Sequence, residues 1–394
     1  MMRLLLPLFA LFLTAASPLP PGSAFAWVTF DARGETGQAG GGLADRAAGR
    51  AVTVADPVRI ASVSKLIVAL GVLRLVEQGR LDLDRDVSDW LGARIRNPAF
   101  PERPVTLRLL LSHRSSLTDD ADYVIPLGRD LRTHLANPKA WDAAHPPGQY
   151  FRYANLNFPV IGSVMEAATG ERLDRLLARL VLEPLGLGAC FNWTTCSPAA
   201  MGRAVVLYQP DGSVLRDDLK GALPACPVVP AADGACDLAA YVPGTNGALF
   251  SPQGGLRISA RDLAAVGRLL LNDGRHDGRR FLAPASMKLL TEGAWRFDGA
   301  NGQTDDGFYC GYGLATQILP SAQAGCRDDL SGTGARLIGH AGDAYGVRSG
   351  LWVDRARGVG IAYFATNLGE QQAPGRSAYR AAEEWLAGHL EQPR

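Results

Sequence analysis

From Leu66 to Leu75 the chain reads Leu-Ile-Val-Ala-Leu-Gly-Val-Leu-Arg-Leu, apolar on every helical face except at Arg74. A helix of that kind is buried nearly all round. The pattern predicts it over Val63–Gln78, ended by Gly79. Further helices are predicted near 159–168, 171–183 and 377–389. Thr106 is placed to cap a helix starting at Leu107, and Ser259 with Asp262 forms a capping box for another. Short β-rich runs predict strands at Trp27–Phe30, Tyr312–Leu319, Val347–Val353 and Val359–Ala365. The last two are joined as a hairpin through Asp354–Gly358. The Gly- and Asp-rich stretch from Asp31 to Asp56 predicts a turn and a second short strand. Residues 188–250 lack periodicity and predict a loop-rich insert. Strands at both ends with helices between them predict one sheet built from both ends of the chain. The class is α/β (α+β), with approximately residues 80–250 forming a helical, loop-rich lobe.

The first 26 residues follow another pattern. Arg3 precedes an apolar run ending near Ala16, followed by Ser17-Pro-Leu-Pro-Pro. This is the pattern of a secretory signal and leader, and the run is too short to span a bilayer with ease. Small-x-small triplets at Thr14–Ala16 and Ala24–Ala26 offer two cleavage points. Cleavage at Ala26 would begin the mature chain inside the first strand, which favours Ala16. Residues 27–394 are then the folded domain, periplasmic or secreted, with no stable membrane span after cleavage.

Composition narrows the function. A net charge of +1 over 394 residues leaves no basic excess for nucleic acid. Six scattered histidines form no metal-binding motif, so no metal or other cofactor is expected. The six cysteines fall into local pairs. In an oxidising compartment the pairing expected is Cys190–Cys196, Cys226–Cys236 and Cys310–Cys326, because short loops close cheaply. Nothing in the sequence sets an oligomeric state.

The chemistry begins at Arg59-Ile-Ala-Ser-Val-Ser-Lys65. Ser62 and Lys65 are three apart and share one face of the first helical turn. Burial disfavours an ammonium, and a neutral amine beside a hydroxyl makes an activated nucleophile. The serine N–H at a helix start can face a developing oxyanion. The competing reading is a capping serine followed by a snorkelling lysine. Ser64 shares no face with Lys65 and is the weaker serine. Tyr153-Ala-Asn155 follows a rigid Pro146-Pro-Gly148 elbow. Its tyrosine is suited to relay a proton to a leaving group, and its asparagine to orient Lys65 and a substrate amide. In Gly339-His-Ala-Gly-Asp343, the glycine lets substrate approach an edge strand. The N–H that follows it is a second oxyanion donor.

Together, Ser62-Val-Ser-Lys65, Tyr153-Ala-Asn155 and His340-Ala-Gly342 resemble the three motifs of the serine beta-lactamase and penicillin-binding superfamily. The stretches Leu73–Asp84, Leu109–Leu117, Pro147–Asn155 and Gly254–Leu263 resemble its branch of class C beta-lactamases, D-Ala-D-Ala carboxypeptidases, D-aminopeptidases and related esterases. The resemblance runs from about residue 27 to the C-terminus. It implies an antiparallel sheet between helices plus a helical domain, with the site at their junction. It also implies Ser62 as nucleophile, Lys65 as its base partner and Tyr153 as general base or shuttle. Asn155 is the second-motif asparagine, and the N–H groups of Ser62 and Asp343 form the oxyanion hole. His340 stands in the third motif, holding the tyrosine and the substrate's carboxylate side. Gln149 is placed against the acyl amide.

The departures concern substrate. Where class C enzymes have Lys-Thr-Gly, this chain has a mostly neutral imidazole and Ala341. Arg348 is either a replacement cation or an ordinary solvated residue. The Asp343 carboxylate suits an amine-bearing substrate, unless strand alternation turns it to the other face. The expected function is an exported serine hydrolase cleaving an amide (peptide) bond through an acyl-enzyme. The alternatives are an esterase or beta-lactamase with the same machinery, or a non-catalytic homologue that binds peptides or cell-wall fragments. The intact Ser62, Lys65 and Tyr153 set weighs against the last.

Overall fold

The two ends of the chain meet in one antiparallel sheet. The computed structural model describes residues 17–369 and 372–391. The apolar run of the leader, residues 1–16, lies outside the described residues. The eight strands run in the order Trp295–Arg296, Gly311–Tyr312, Gln317–Leu319, Leu337–Ala344, Val347–Asp354, Val359–Thr366, Ala24–Asp31 and Glu35–Gly41. The N-terminal strand lies against the last one, from Ala24 opposite Thr366 to Asp31 opposite Val359. It buries Ala24, Ala26, Val28 and Phe30 in strict alternation, the period of a pleated strand. It begins three residues earlier than the sequence pattern suggests, because small alanines fit where the sheet meets its cover.

Helices cover both faces. Ala260–Leu271, capped by the Ser259 hydroxyl on the Asp262 N–H, packs across three strands of one face. Ala381–Ala387 packs on the other. The helix Ser64–Glu77 is buried nearly all round and packs against the helical segments Leu173–Leu177 and Ala178–Leu182, while the Ala61–Val63 turn before it packs on strands Leu337–Ala344 and Val347–Asp354. Thr106 caps Leu107–Leu111 as expected, accepting from the Leu109 N–H.

Two stretches differ from their sequence reading. Tyr312–Leu319 is not one strand: Gly313 and Ala315 turn the backbone, with Ala315 at φ 57°, leaving two short strands. Leu337–Ala344 is a full interior strand over its first half only. Its partner Gln317–Leu319 pairs with Leu337–Gly339 and stops. From His340 onward that side of the strand is open.

The loop-rich stretch after Gly188 is stitched down at both ends. Cys190–Phe191 joins Leu256–Ile258 and Val58–Arg59 in a small three-stranded sheet directly before the first motif. All three expected disulfides are formed. Among the described residues no helix is long and apolar enough to cross a membrane.

Candidate active site

Ser62 does not sit on the long helix itself. It occupies a 3-10 turn, Ala61–Val63, that leads into it. Ala61 adopts φ 47°, a conformation costly for a residue with a Cβ. The turn is held by its surroundings. The Ser349 hydroxyl donates to the Ile60 carbonyl at 2.7 Å, and Gly342 lies against the same carbonyl. A Cβ on Gly342 would come within 2.3 Å of the Ile60 oxygen and of the Ser349 hydroxyl. The glycine of the third motif therefore admits the nucleophile's own turn rather than the substrate.

One turn later Lys65 is wholly buried. Its amine lies 2.9 Å from the Ser62 hydroxyl, 2.8 Å from Asn155 Oδ1 and 2.9 Å from the Gln253 carbonyl. Among the described residues no carboxylate pairs with it. Burial pulls its pKa down to about 7, against a smaller opposing pull from Asp119. Ser64 turns the other way, its buried hydroxyl accepting from the Leu256 N–H.

Asn155 is set by Asp119, which accepts from the Asn155 N–H and side-chain amide and from the Leu156 N–H. Tyr153 is clamped between two rings. His113 stacks on one side at 4.3 Å between centroids and Tyr309 on the other at 4.6 Å. The Tyr153 hydroxyl oxygen is buried without a regular hydrogen bond, yet the Ser62 and Tyr309 hydroxyls lie close enough to bias its ionisation. Burial outweighs them and raises its pKa, so the group is a phenol at neutral pH. His113 accepts from the Ala154 N–H and is kept neutral by burial and by Lys65. Asp119, His113 and Tyr309 carry no role in the sequence reading. Their signal was present in Leu109–Leu117 with its following Asp119, and in the aromatic cluster Phe308-Tyr309-Cys-Gly-Tyr312.

The third motif is rearranged. His340 is buried, with Nδ1 donating to the Ala341 carbonyl at 2.5 Å and Nε2 accepting from the Tyr312 hydroxyl at 2.8 Å. Burial and Lys65 push its pKa down to about 3. Both nitrogens are satisfied inside the protein, so His340 braces the aromatic cluster and has no nitrogen left for a substrate carboxylate. Strand alternation sends the Asp343 side chain to the face opposite His340 and Gly342. There it pairs with Arg348 at 2.9 Å. Arg348 is not an ordinary solvated residue: it also hydrogen-bonds Gln372 at 2.8 Å and faces buried Glu383 at 3.7 Å. The expected lone carboxylate of Asp343 is thus a compensated one.

The Asp343 backbone is better placed. Tyr345 and Gly346, both at positive φ, form a two-residue turn between Ala344 and Val347. Hydrogen-bonded pairs alternate away from such a turn, which makes Asp343–Arg348 a non-bonded pair. The Asp343 N–H then points to the open side, as the Ala341 N–H does in reaching the Gln317 side chain at 2.9 Å. Gln149 is exposed on the elbow before the tyrosine, and the structure does not bring it into the site. Ser62 lies where two cavities meet. One, of about 490 Å³, is lined by Tyr153, Tyr309 and Arg348 among others. The second, of about 620 Å³, is lined by Arg59, Tyr123, Trp193 and the proline-rich loop before Cys236. Asn155 and Asp343 border both.

The sequence profile of the Beta-lactamase family matches residues 23–384. The chain belongs to the beta-lactamase family. This beta-lactamase-family chain is 36% identical to Esterase EstB of Burkholderia gladioli over 198 residues, 46% of the chain and 50% of the esterase. It is 29% identical to Penicillin-binding protein 4 of Amycolatopsis lactamdurans over 275 residues, 69% of the chain and 65% of that protein. The chain thus spans half to two thirds of these relatives. Among solved structures, a D-amino acid amidase from Ochrobactrum anthropi SV3 superposes with a TM-score of 0.65 at 19% identity, covering 93% of this chain and 92% of the amidase. A class C beta lactamase from Rhodobacter sphaeroides gives 0.65 at 16% identity, covering 93% of each. At these identities the likeness is one of fold, the antiparallel sheet between helices expected from the motifs.

Proposed function

We propose that the protein is an exported serine hydrolase that cleaves an amide or ester through an acyl-enzyme on Ser62. One observation carries the reading: a wholly buried, unpaired Lys65 amine 2.9 Å from the Ser62 hydroxyl, with a pKa near 7. As a neutral amine, Lys65 takes the proton when Ser62 Oγ attacks the carbonyl carbon. The carbonyl oxygen gains the charge and accepts from the Ser62 and Asp343 N–H groups. Tyr153, a phenol, donates its proton to the leaving nitrogen or oxygen and is reprotonated from Lys65. The bond to the leaving group breaks and the acyl group stays on Ser62. Water then attacks the ester, with the same groups returning the proton to Ser62 Oγ.

The leaving group departs on the side of Tyr153. There His340 is neutral and Arg348 is committed to Asp343 and Glu383. A carboxylate on the leaving group would then rely on Arg327 or Arg380, which line the same cavity; a leaving group without one needs neither, which favours an endo-acting peptidase, an amidase or an esterase over a carboxypeptidase. The printed names of the relatives include both an esterase and a D-alanyl-D-alanine-carboxypeptidase/endopeptidase, AmpH of Escherichia coli. Export rests on the leader and on three disulfides, which persist in oxidising compartments. Cleavage near Ala16 leaves the buried start of the first strand intact.

The test is a substrate panel of peptides with free and amidated C-termini, D-amino-acid amides, short-chain esters and nitrocefin. Mass spectrometry of the quenched protein then locates any adduct. Turnover with an acyl group on Ser62 is expected. No turnover and no adduct across the panel would sink the reading.

A further inference from the structure

The second cavity holds a cation that the chemistry at Ser62 does not use. Arg59 stands three residues before the nucleophile and is only 7% exposed. Its Nη1 donates to the Gly254 carbonyl at 3.1 Å, its buried Nε has no partner, and among the described residues no carboxylate pairs with it. A buried charge without a counter-ion is costly. The register makes it costlier. Arg59 lies directly across from Arg257 in the small sheet, and like charges opposite one another destabilise strands. Asp217 attracts Arg59 without an ion-pair contact; its Oδ1 takes Arg257 at 3.1 Å and the Trp193 indole at 2.7 Å, so one carboxylate is shared between two guanidiniums. Burial and Arg257 bring Arg59 down to about 9, still a cation at neutral pH.

A second guanidinium serves the same space. The Tyr345 ring is held between Arg59, 5.0 Å from its centroid, and Arg216, 4.6 Å away. Arg216 also donates to the Tyr345 hydroxyl at 2.9 Å. The cavity is thus lined by Arg59, Arg216 and Arg257 against Asp217 and Asp343, and Asp343 already has Arg348. The cavity borders Ser62 on the side away from Tyr153, so it receives the acyl part of a substrate.

We propose that the protein selects substrates whose acyl portion carries an anion, a carboxylate held in the cavity that Arg59 and Arg216 both line. This deepens the reading of Ser62 as the acylated nucleophile and rests on it. The anion supplies the charge that Arg59 lacks. An acyl chain ending in a carboxylate, such as a dicarboxylic half-ester or an acidic acyl residue, fits a site with one reacting carbonyl and one anchored charge.

The experiment compares 4-nitrophenyl monoesters of glutarate and adipate with neutral butyrate and hexanoate esters at low salt. For the wild type, kcat/KM should favour the anionic ester by about tenfold or more, the worth of one charge-assisted hydrogen bond. Salt should shrink that preference. Arg59→Gln should cut the anionic-to-neutral ratio by about tenfold, and Arg59→Lys by less. A wild-type ratio at or below one, or a ratio unmoved in Arg59→Gln, would overturn the proposal. Should Arg59→Gln fail to fold, two other measurements decide. The exposed Arg216→Gln should lower the ratio about threefold, and free glutarate should inhibit hydrolysis of the neutral ester competitively. A constant ratio with no inhibition overturns it. If neither ester is hydrolysed, the Ser62 reading falls instead. The anion site is then judged alone by whether glutarate raises the melting temperature of the wild type, and raises that of Arg216→Gln by less at the same concentration; no rise in the wild type overturns it.

Discussion

On the Tyr153 side of Ser62 the cavity sets Arg327, Arg348 and Arg380 against Asp305, Asp306 and Asp343. Its charges balance, and its centre is a stack of rings. On the Arg59 side guanidiniums outnumber carboxylates, and buried Arg59 makes no ion pair among the described residues. The first cavity is organised to hold a proton donor still; the second is organised to want something negative. Chemistry and selection are thus divided between two walls that meet at one hydroxyl. Changes to the first wall should alter rate on every substrate. Changes to the second should alter which substrate is used.

The largest effect belongs to the point where the walls meet. Ser62→Ala should lower turnover of any substrate by at least about 10⁴-fold, as loss of a nucleophile does elsewhere, with the melting temperature little changed. Residual activity within tenfold of wild type would move the nucleophile elsewhere. Ser64→Ala should instead lower stability, since its hydroxyl serves the Leu256 N–H inside the core.

Next comes the wall that performs chemistry. Tyr153→Phe keeps both ring stacks and loses the hydroxyl. It should cost about 10²–10⁴ in kcat, the worth of positioned proton transfer, equally on anionic and neutral acyl groups. A loss that depends on the acyl charge would mean the two walls are not separate.

The pH dependence is a milder test of the same wall. Lys65 must be neutral to accept the Ser62 proton, and its pKa is about 7. Activity on a neutral ester should therefore rise with pH through about 7 and level above it, falling about tenfold per unit on the acid side. Tyr153 titrates far above this range and His340 far below it. Of Lys65, Tyr153 and His340, only Lys65 is thus expected to ionise between pH 5 and 9. A rise centred near pH 10 would mean that burial does not lower the pKa of the group that must lose its proton.

Local spacing carried much of this arrangement. Ser62 and Lys65 meet because three residues make one turn, the caps at Thr106 and Ser259 follow from their own sequence, and the cysteines bridge their neighbours. What spacing cannot show is what arrives from afar. Tyr309 reaches Tyr153 across 156 positions, Asp119 reaches Asn155 across a loop, and Ser349 braces Ile60 from the far strand. His340 and Gln149 were misjudged for the same reason. A motif position names a backbone site, while the role of the side chain depends on partners such as Tyr312 that the motif does not contain. The left-handed Ala61 was invisible because nothing about an alanine announces a strained turn.

The smallest expected effect lies at the border of the two walls. Asp343 is more than half exposed and pairs with Arg348, which is mostly buried and, among the described residues, has Glu383 as its other acid at 3.7 Å. Asp343→Asn keeps the backbone N–H that faces the open side of the strand, so kcat on a neutral ester should change by less than about threefold. The side-chain change, however, removes a carboxylate from a balanced wall. Among the described residues Arg348 would then face the leaving-group cavity with Glu383 to offset it, and Glu383 is itself pushed up to about 7 by burial. At neutral pH that acid is only partly ionised, so part of the guanidinium charge becomes available. An exposed ion pair is worth about 1 kcal/mol or less, which bounds the gain at about fivefold. Asp343→Asn should therefore improve kcat/KM for peptides with a free C-terminal carboxylate, relative to amidated ones, by about two- to fivefold. The gain should shrink as pH rises from 6 to 8 and Glu383 ionises. Selectivity for the acyl group should stay fixed, since Arg59 and Arg216 do not depend on Asp343 for a partner. A shift in acyl preference instead would show that Asp343 acts on the Arg59 cavity it also borders, and that the division between the two walls fails at that residue.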